Sequence, residues 1–315
     1  MMPKYVVGFD TSNYTTSAAV CTPQGEVIAN IKRPLPVTEG ACGLRQSDAV
    51  FAHVKNLPEV CKELKSVLEG AEVIAVGVSS QPRSAEGSYM PCFLSGVAAA
   101  NAFASACNAP MHTFSHQDGH IRAAVYSSGA GEDLLNRPFA AFHVSGGTTE
   151  ILYVTPDQNG FSVELIGETE DLNAGQLIDR VGVMMGLSFP CGKELERLAS
   201  QWTGDLPQVK TCVRDCKCHL SGLQNLAEKL WKECGDPTCV SAYVLASVAK
   251  TLQKMTAQLD EKLGRLPIVY AGGVMSNRYL QSVLAKRKDT YFAEPAFSAD
   301  NAAGIALLCR DRIRS

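Results

Sequence analysis

The sequence predicts an α/β protein made of two copies of one β-hairpin-led domain, and three observations carry that prediction. The first is an internal echo. "FDTSNYTTSAAVCTP" lies over "FHVSGGTTEILYVTP" at a constant offset of 133, so that Phe9, Ser12, Thr15, Thr16, Thr22 and Pro23 meet Phe142, Ser145, Thr148, Thr149, Thr155 and Pro156. The second is the shared pattern. Each segment reads as an apolar strand, a small polar turn, a second apolar strand, and then a turn (PQGE, PDQNG) that leads to a third. The third is the alternation of helical and strand patterns after each hairpin, which implies α/β halves facing a cleft. A length of 315 residues is about twice that of a typical domain. With 46% apolar residues, 19% charged residues and 26 glycines, the composition is that of a globular α/β chain rather than a disordered one.

The elements follow in order. After the first hairpin, residues 50 to 69 place Val54, Leu57, Val60, Leu64, Val67 and Leu68 near helical spacing, and "VIAVGVSS" reads as a buried strand. "SGVAAANAFASACNAP" is a small-residue helix that stops at Pro110. In the second half, Leu177, Ile178, Val181, Met184 and Met185 form one helix face, and residues 240 to 263 form a longer one through Val244, Val248, Leu252, Met255, Leu259 and Leu263. "LPIVYAGGV" is a strand running into a glycine turn and a helix. "SADNAAGIALL" opens a final helix, with Ser298 or Asp300 at the capping position.

The net charge of −3 gives no general attraction to nucleic acid, so an RNA contact needs a local patch or a partner's surface. Lys286, Arg287 and Lys288 form one basic run, read first as a solvated helix end. "MMPKYVVGFD" carries one lysine, a very short apolar run and no small-residue cleavage site, so no signal peptide is expected. Nor does any stretch reach the roughly 18 apolar residues of a membrane span. The expected compartment is the cytoplasm. There the 12 cysteines are buried small hydrophobes or metal ligands rather than a disulfide framework, and Asn13-Tyr14-Thr15 is not a glycosylation site.

In "FSHQDGH", His116 and His120 stand at i and i+4, on one helix face, where two neutral imidazoles can share a metal ion or be no more than a surface pair. A zinc-protease H-E-x-x-H motif needs a glutamate after the first histidine as general base. Gln117 occupies that place and cannot take a proton. "HVSGGTT" (143 to 149) and "AGGVMSN" (271 to 277) are glycine turns at strand ends, where backbone amides can approach an anion, although neither matches a Walker loop or a G-x-G-x-x-G fingerprint. "CVRDCKCH" gathers Cys212, Cys216, Cys218 and His219, with Cys234 and Cys239 beyond, at spacings that fit no standard zinc knuckle. Reduced cysteines around a hairpin are the expectation.

Seven ordered blocks, "GFDTSNYTTSAAV", "SHQDGHIRAA", "VSGGTTEIL", "GETEDLNAGQLIDRVGVMMGLSFPCG", "LSGLQN", "AGGVMSNRYL" and "SADNAAGIA", run through nearly the whole chain. In them it resembles the TsaD family of tRNA N(6)-threonylcarbamoyladenosine synthases, once labelled O-sialoglycoprotein endopeptidases. The resemblance implies two duplicated domains of the actin/Hsp70/sugar-kinase (RNase H-like) fold facing a central nucleotide cleft. One would span residues 1–130 and the other 131–299, with a C-terminal helix of about 300–315 packing back on the first. It also implies a divalent metal (Fe, Zn or Mg) on His116, His120 and Asp300. An adenine nucleotide (ATP, AMP or threonylcarbamoyl-AMP) would lie along His143, Val144, Ser145, Gly146 and Gly147, with Asp179, Gly192 and Asn277. The implied chemistry moves a threonylcarbamoyl group from threonylcarbamoyl-AMP to an adenosine of tRNA. The metal would polarise the carbamoyl carbonyl, glycine-loop amides would cradle the phosphate and Asp179 would hold the ribose hydroxyls. TsaB-like and TsaE-like proteins and tRNA are the implied partners, with no membrane and no DNA.

Three departures stand beside the matches. The family usually reads E-T-S-C-D-E-T at the first loop, where this chain reads "DTSNYTT", so Asn13, Tyr14 and Thr15 replace Cys, Asp and Glu and no carboxylate stands there to assist transfer. The glycine-rich T-S-G-P-G-x-x-G segment is "SSQPRSAEG", and "SGGHT" has become "SGGTT". Asp10 and Ser12 are the candidate catalytic groups. Two other readings are carried: a TsaD-like carbamoyltransferase or nucleotide hydrolase with a non-tRNA acceptor, and a non-catalytic assembly partner of the same fold.

Overall fold

The computed structural model describes residues 2–12, 14–36, 44–158, 160–298 and 302–314. The chain separates into two compact units. The first contains Met1–Tyr126, Pro156–Ser162 and Ala296–Ser315, and the second Ser127–Thr155 and Val163–Pro295.

In the first unit, strands β1 (Lys4–Ser12), β2 (Thr15–Cys21), β3 (Val27–Pro34), β4 (Glu72–Gln81) and β5 (Met111–Ser115) form one sheet in the order β3-β2-β1-β4-β5. β1 runs antiparallel to β2 and parallel to β4, which is parallel to β5. Helices α1 (Gln46–Val67) and α2 (Phe93–Cys107) pack against this sheet. α2 ends before Pro110, at Asn108 in the left-handed conformation, φ 53°. β1 alternates as a strand must. Val7 and Phe9 join a core with Leu64 of α1 and Ala100 of α2, whereas a Cβ on Gly8 would stand 2.5 Å from the Ala306 backbone nitrogen. That second face is covered by the last helix, Ala303–Arg314, which also meets β2 and β4. With both faces covered, β1 is a continuous buried run from Val6 to Ser12.

The second unit repeats the plan. Strands β6 (Phe139–Val144), β7 (Thr149–Asp157), β8 (Gly160–Glu168), β11 (Ile268–Ala271) and β12 (Thr290–Phe292) take the order β12-β11-β6-β7-β8. The echo in the sequence is an echo in register. Val6 pairs Cys21 and Phe9 pairs Ala18 in the first hairpin, and Phe139 pairs Val154 and Phe142 pairs Ile151 in the second, each 133 residues on. Because a one-residue slip would turn every side chain to the other face, the shared offset means both hairpins present equivalent faces. The core of this unit joins Phe142, Ile151 and Tyr270 of the sheet to Leu177 and Val181 of α4 (Ala174–Met184) and to Val244, Leu252 and Met255 of α7 (Pro237–Leu263). A small hairpin, β9 (Cys212–Arg214) with β10 (Lys217–His219), turns at Asp215 and Cys216, both at positive φ (49° and 62°). This is the two-residue turn that suits the right-handed strand twist. The cysteines there are free thiols, Cys216 and Cys218 buried and Cys212 exposed. Arg287 belongs to the structure rather than to a solvated run, because its guanidinium binds both Asp260 carboxylate oxygens (2.7 and 3.1 Å) and the Leu266 carbonyl. Among the described residues, no helix is long and apolar enough to cross a membrane.

Candidate functional site

In parallel sheets, ligands gather at the carboxyl ends of the strands. In the first unit three such ends converge. Asp10 lies near the end of β1, Ser79 near the end of β4, and His116 directly follows β5 as the first residue of α3 (His116–Ser127). His116 Nδ1 donates to Asp10 Oδ2 at 2.6 Å. Asp10 Oδ1 accepts from the Ser12 amide at 2.8 Å and from Ser79 Oγ at 2.9 Å. At 1% exposure, Asp10 faces these partners rather than solvent. His116 Nε2 is turned to His120 Nε2, one helical turn on, 2.9 Å away.

These donors fit a metal. A carboxylate on one nitrogen fixes the imidazole tautomer and leaves the other nitrogen's lone pair for an ion, the usual outer arrangement of histidine ligands. Two imidazole nitrogens sharing an ion at about 2.1 Å each stand roughly 3.0–3.4 Å apart, close to the 2.9 Å between His116 and His120. Asp300, the expected third ligand, lies outside the described residues, and among those described no group of three His, Cys, Asp or Glu side chains is disposed to hold an ion. The next described residues do pack beside the histidines. A Cβ on Gly304 would stand 1.8 Å from the Gly119 carbonyl oxygen, and the Ala302 carbonyl oxygen lies 2.7 Å from a Cβ built on Gly8. Gly304 is therefore what lets the last helix approach α3 at Gly119, between the two histidines. The changed segment after β4 is tied to the same helix, since Ser84 Oγ donates to Asp118 Oδ2 (3.0 Å) and the Gln117 amide to the Pro82 carbonyl (3.0 Å). Burial pushes the Asp118 carboxyl above its usual range, against hydrogen bonds from Ser115 and Ser84.

Of the two candidate catalytic residues, Asp10 acts on His116. Among the described residues, the buried Ser12 hydroxyl has no hydrogen-bond partner. The contact between Asp10 and His116 spans 106 positions, and nothing in the local pattern of either residue announces it.

The nucleotide-type residues belong to the second unit. Between β6 and β7, the Gly147 and Thr148 amides both donate to Ser145 Oγ at 3.1 Å. Two amides expected to cradle a phosphate are therefore held by this serine. Gly146 and Gly147 border open space. The turn rests on the start of α4, where the Gly175 amide donates to the Ser145 carbonyl (3.0 Å) and a Cβ on Gly175 would stand 2.6 Å from the Gly146 nitrogen. His143 Nδ1 meets Thr148 Oγ1 at 3.2 Å. On its far side the turn abuts Gly272, at φ +100°, whose added Cβ would lie 2.3 Å from the Val144 carbonyl oxygen. This close approach requires glycine.

Asp179 on α4 accepts the Cys191 amide through Oδ1 at 2.8 Å, which places Gly192 at the start of α5 (Gly192–Ala199). Its Oδ2 has no protein partner among the described residues. Asn277 caps α8 (Arg278–Leu284) by accepting the Leu280 amide at 3.0 Å. Between α5 and α8 lies a cavity of about 750 Å³ lined by Lys193, Glu196, Arg197, Trp202, Arg278 and Tyr279, among others. Glu196 ties the two helices together by accepting the Arg278 amide at 2.7 Å. The size suits a nucleotide, and the sequence reading missed the cavity. Its one signal was position, since Lys193 and Arg278 directly follow Gly192 and Asn277.

The family profile described as tRNA N6-adenosine threonylcarbamoyltransferase, TsaD, matches residues 36–307. A tRNA N6-adenosine threonylcarbamoyltransferase of Streptococcus gordonii is 30% identical, the match covering 90% of this chain and 84% of that one. Among solved structures, HypF of T. kodakarensis matches with a TM-score of 0.62 at 12% identity over 99% of this chain and 48% of that one, so this chain spans about half its length. A ROK-family glucokinase from Streptomyces griseus matches with a TM-score of 0.54 at 11% identity, over 99% of this chain and 100% of that one. At such identities these two speak for the fold alone, that of the actin, Hsp70 and sugar-kinase group. The profile match and the streptococcal relative speak for the family: the chain belongs to the tRNA N6-adenosine threonylcarbamoyltransferases, a family of transferases.

Proposed function

We propose that this chain transfers a threonylcarbamoyl group from threonylcarbamoyl-AMP to the amino group of an adenosine in tRNA. Family membership motivates the reading. The observation that carries it is the Asp10–His116–His120 relay at the carboxyl ends of the first unit's parallel strands. His116 and His120 would hold a divalent ion (Fe, Zn or Mg), with Asp300 as the third ligand. The packing of Gly304 on Gly119 supports that choice, because it ties the segment just after Asp300 to the histidine helix. The bound ion would supply Lewis acidity toward the carbamoyl carbonyl and offset phosphate charge. Asp10 keeps the His116 proton on Nδ1. In the other unit, the cavity between α5 and α8 would take the adenine, Asp179 Oδ2 the ribose hydroxyls, and the Asn277 amide a neighbouring polar group. Ser145 must turn away for the Gly147 and Thr148 amides to meet a phosphate. The amino nitrogen bonds to the carbamoyl carbon, AMP leaves with the electrons of the broken C–O bond, and the nitrogen gives up one proton.

A second reading, with an acceptor other than tRNA, is favoured by one observation: positions 13 to 15 carry no carboxylate. We place the chain in the cytoplasm with TsaB-like and TsaE-like partners. Metal analysis and calorimetric titration of ATP and AMP into the wild type and His120→Ala test the site. Metal and nucleotide binding in the wild type, with metal lost in the variant, is the expected result. Absence of both in the wild type contradicts both readings.

A further inference from the structure

The glycine turn between β6 and β7 carries a side-chain network that its counterpart in the first unit lacks. Ser145 Oγ accepts from the Gly147 and Thr148 amides, both at 3.1 Å, and meets Thr148 Oγ1 at 2.9 Å. Thr148 Oγ1 has a second partner in His143 Nδ1, at 3.2 Å. The first copy has the same serine and threonine, Ser12 and Thr15, at the matching positions. There the Ser12 hydroxyl has no partner among the described residues. Thr16 Oγ1 instead meets Nδ1 of the buried His53 in α1 at 2.8 Å. What differs is the strand end. Asp10, which stands where His143 does, is turned to the Ser12 amide and to His116. The network is thus not imposed by the plan the two hairpins share, and Thr148 is one of this chain's departures, in "SGGTT".

A hydroxyl offers two lone pairs and one proton. Two amides and the Thr148 hydroxyl take all three, so Ser145 is saturated as it stands. A serine that accepts amides two and three residues on is a common local motif by itself. The Thr148 contact adds a further hold. Gly146 and Gly147 border open space, so a phosphate can reach the turn, yet the two amides that would receive it are already bonded. Binding there exchanges one set of hydrogen bonds for another, and apparent affinity falls with the fraction of turns that are closed.

We propose that Thr148 is a latch that sets the affinity of this turn for phosphate-bearing nucleotides. Its hydroxyl holds Ser145 in the rotamer that covers the Gly147 and Thr148 amides, and entry of a phosphate turns Ser145 away. A nucleoside without a phosphate does not meet the latch. Position 148 therefore tunes AMP and ATP and leaves adenosine alone. The inference rests on the nucleotide reading of the turn for its consequence, and on the bonds within the turn for its mechanism.

Thr148→Val keeps the branched shape and removes the hydroxyl, whereas Thr148→Ser keeps the hydroxyl. In calorimetric titration, Thr148→Val should bind AMP and ATP about threefold to tenfold more tightly than the unmutated protein, the loss of about one hydrogen bond from the closed turn. Adenosine should show no tightening, and Thr148→Ser should match the unmutated protein. Unchanged or weaker AMP binding in Thr148→Val, or equal tightening for adenosine, overturns the proposal. In the unmutated protein, three-bond couplings should show one Ser145 χ1 rotamer without ligand and another with AMP bound. A rotamer that stays also overturns it. Without ligand, solvent exchange of the Gly147 and Thr148 amides should be about threefold to tenfold faster in Thr148→Val, and equal exchange overturns the latch whatever binds. An unmutated protein that takes up neither AMP nor ATP contradicts the nucleotide reading instead, while the exchange still decides what Thr148 holds.

Discussion

Asp10→Asn tests the relay at its source. One carboxylate serves three donors, the Ser12 amide (2.8 Å), Ser79 Oγ (2.9 Å) and His116 Nδ1 (2.6 Å), from a position 1% exposed. An amide offers a single acceptor oxygen. If that oxygen stays with Ser12 and Ser79, the NH2 group faces His116 Nδ1 and forces the ring to accept there, which moves its proton to Nε2 and blocks the nitrogen meant for metal. If the amide flips, NH2 meets the Ser12 N–H, donor against donor. Either way one charge-assisted bond is lost, worth about 1.5–3 kcal/mol. At roughly 2–4 °C per kcal/mol for a unit of this size, the thermal midpoint should fall by about 3–12 °C. Metal affinity should fall about 10–100-fold, as for other outer partners of histidine ligands. Differential scanning calorimetry and zinc titration followed by calorimetry read both effects. An Asp10→Asn protein with wild-type metal affinity would refute the claim that Asp10 sets the His116 tautomer, whatever its melting point.

Gly304→Ala should destabilise the first unit by about 3 kcal/mol or more, because its Cβ would stand 1.8 Å from a backbone oxygen, Gly119 O, that cannot swing aside; a thermal melt checks it. Ala242→Trp, which fills the cavity between α5 and α8, should weaken ATP binding about tenfold or more in calorimetry and leave metal content unchanged. His53 gives a pH signature. Burial holds its folded pKa below the ordinary histidine value, so the unfolded chain takes up the proton first, and stability is lost as pH falls from about 6.5 toward the folded pKa. His53→Asn should flatten that part of a denaturant-midpoint profile; an unchanged slope contradicts the assignment.

The hairpin echo was legible because strand pairing has a strict period, so an offset in sequence becomes the same offset in register from Val6–Cys21 to Phe139–Val154. His116 and His120 were legible because a helix brings i and i+4 together. Asp10 was noted for a different role, and its partnership with His116 was hidden. It depends on the strand order β3-β2-β1-β4-β5, which sets the ends of β1 and β5 on either side of β4. His53 looked like one more residue on a helix of apolar spacing, and only the packing of α1 on β2 gives its ring a partner in Thr16. The glycine turn at 145–147 was found, but its amide directions were not, because a serine side chain decides them.

The central claim is transfer to tRNA, and mass spectrometry of tRNA nucleosides tests it most directly. The purified chain, with TsaB-like and TsaE-like partners, divalent metal, threonylcarbamoyl-AMP and unmodified tRNA, should yield threonylcarbamoyladenosine, and His120→Ala should yield none. Release of AMP with no modified adenosine in the tRNA would contradict it and point to a different acceptor.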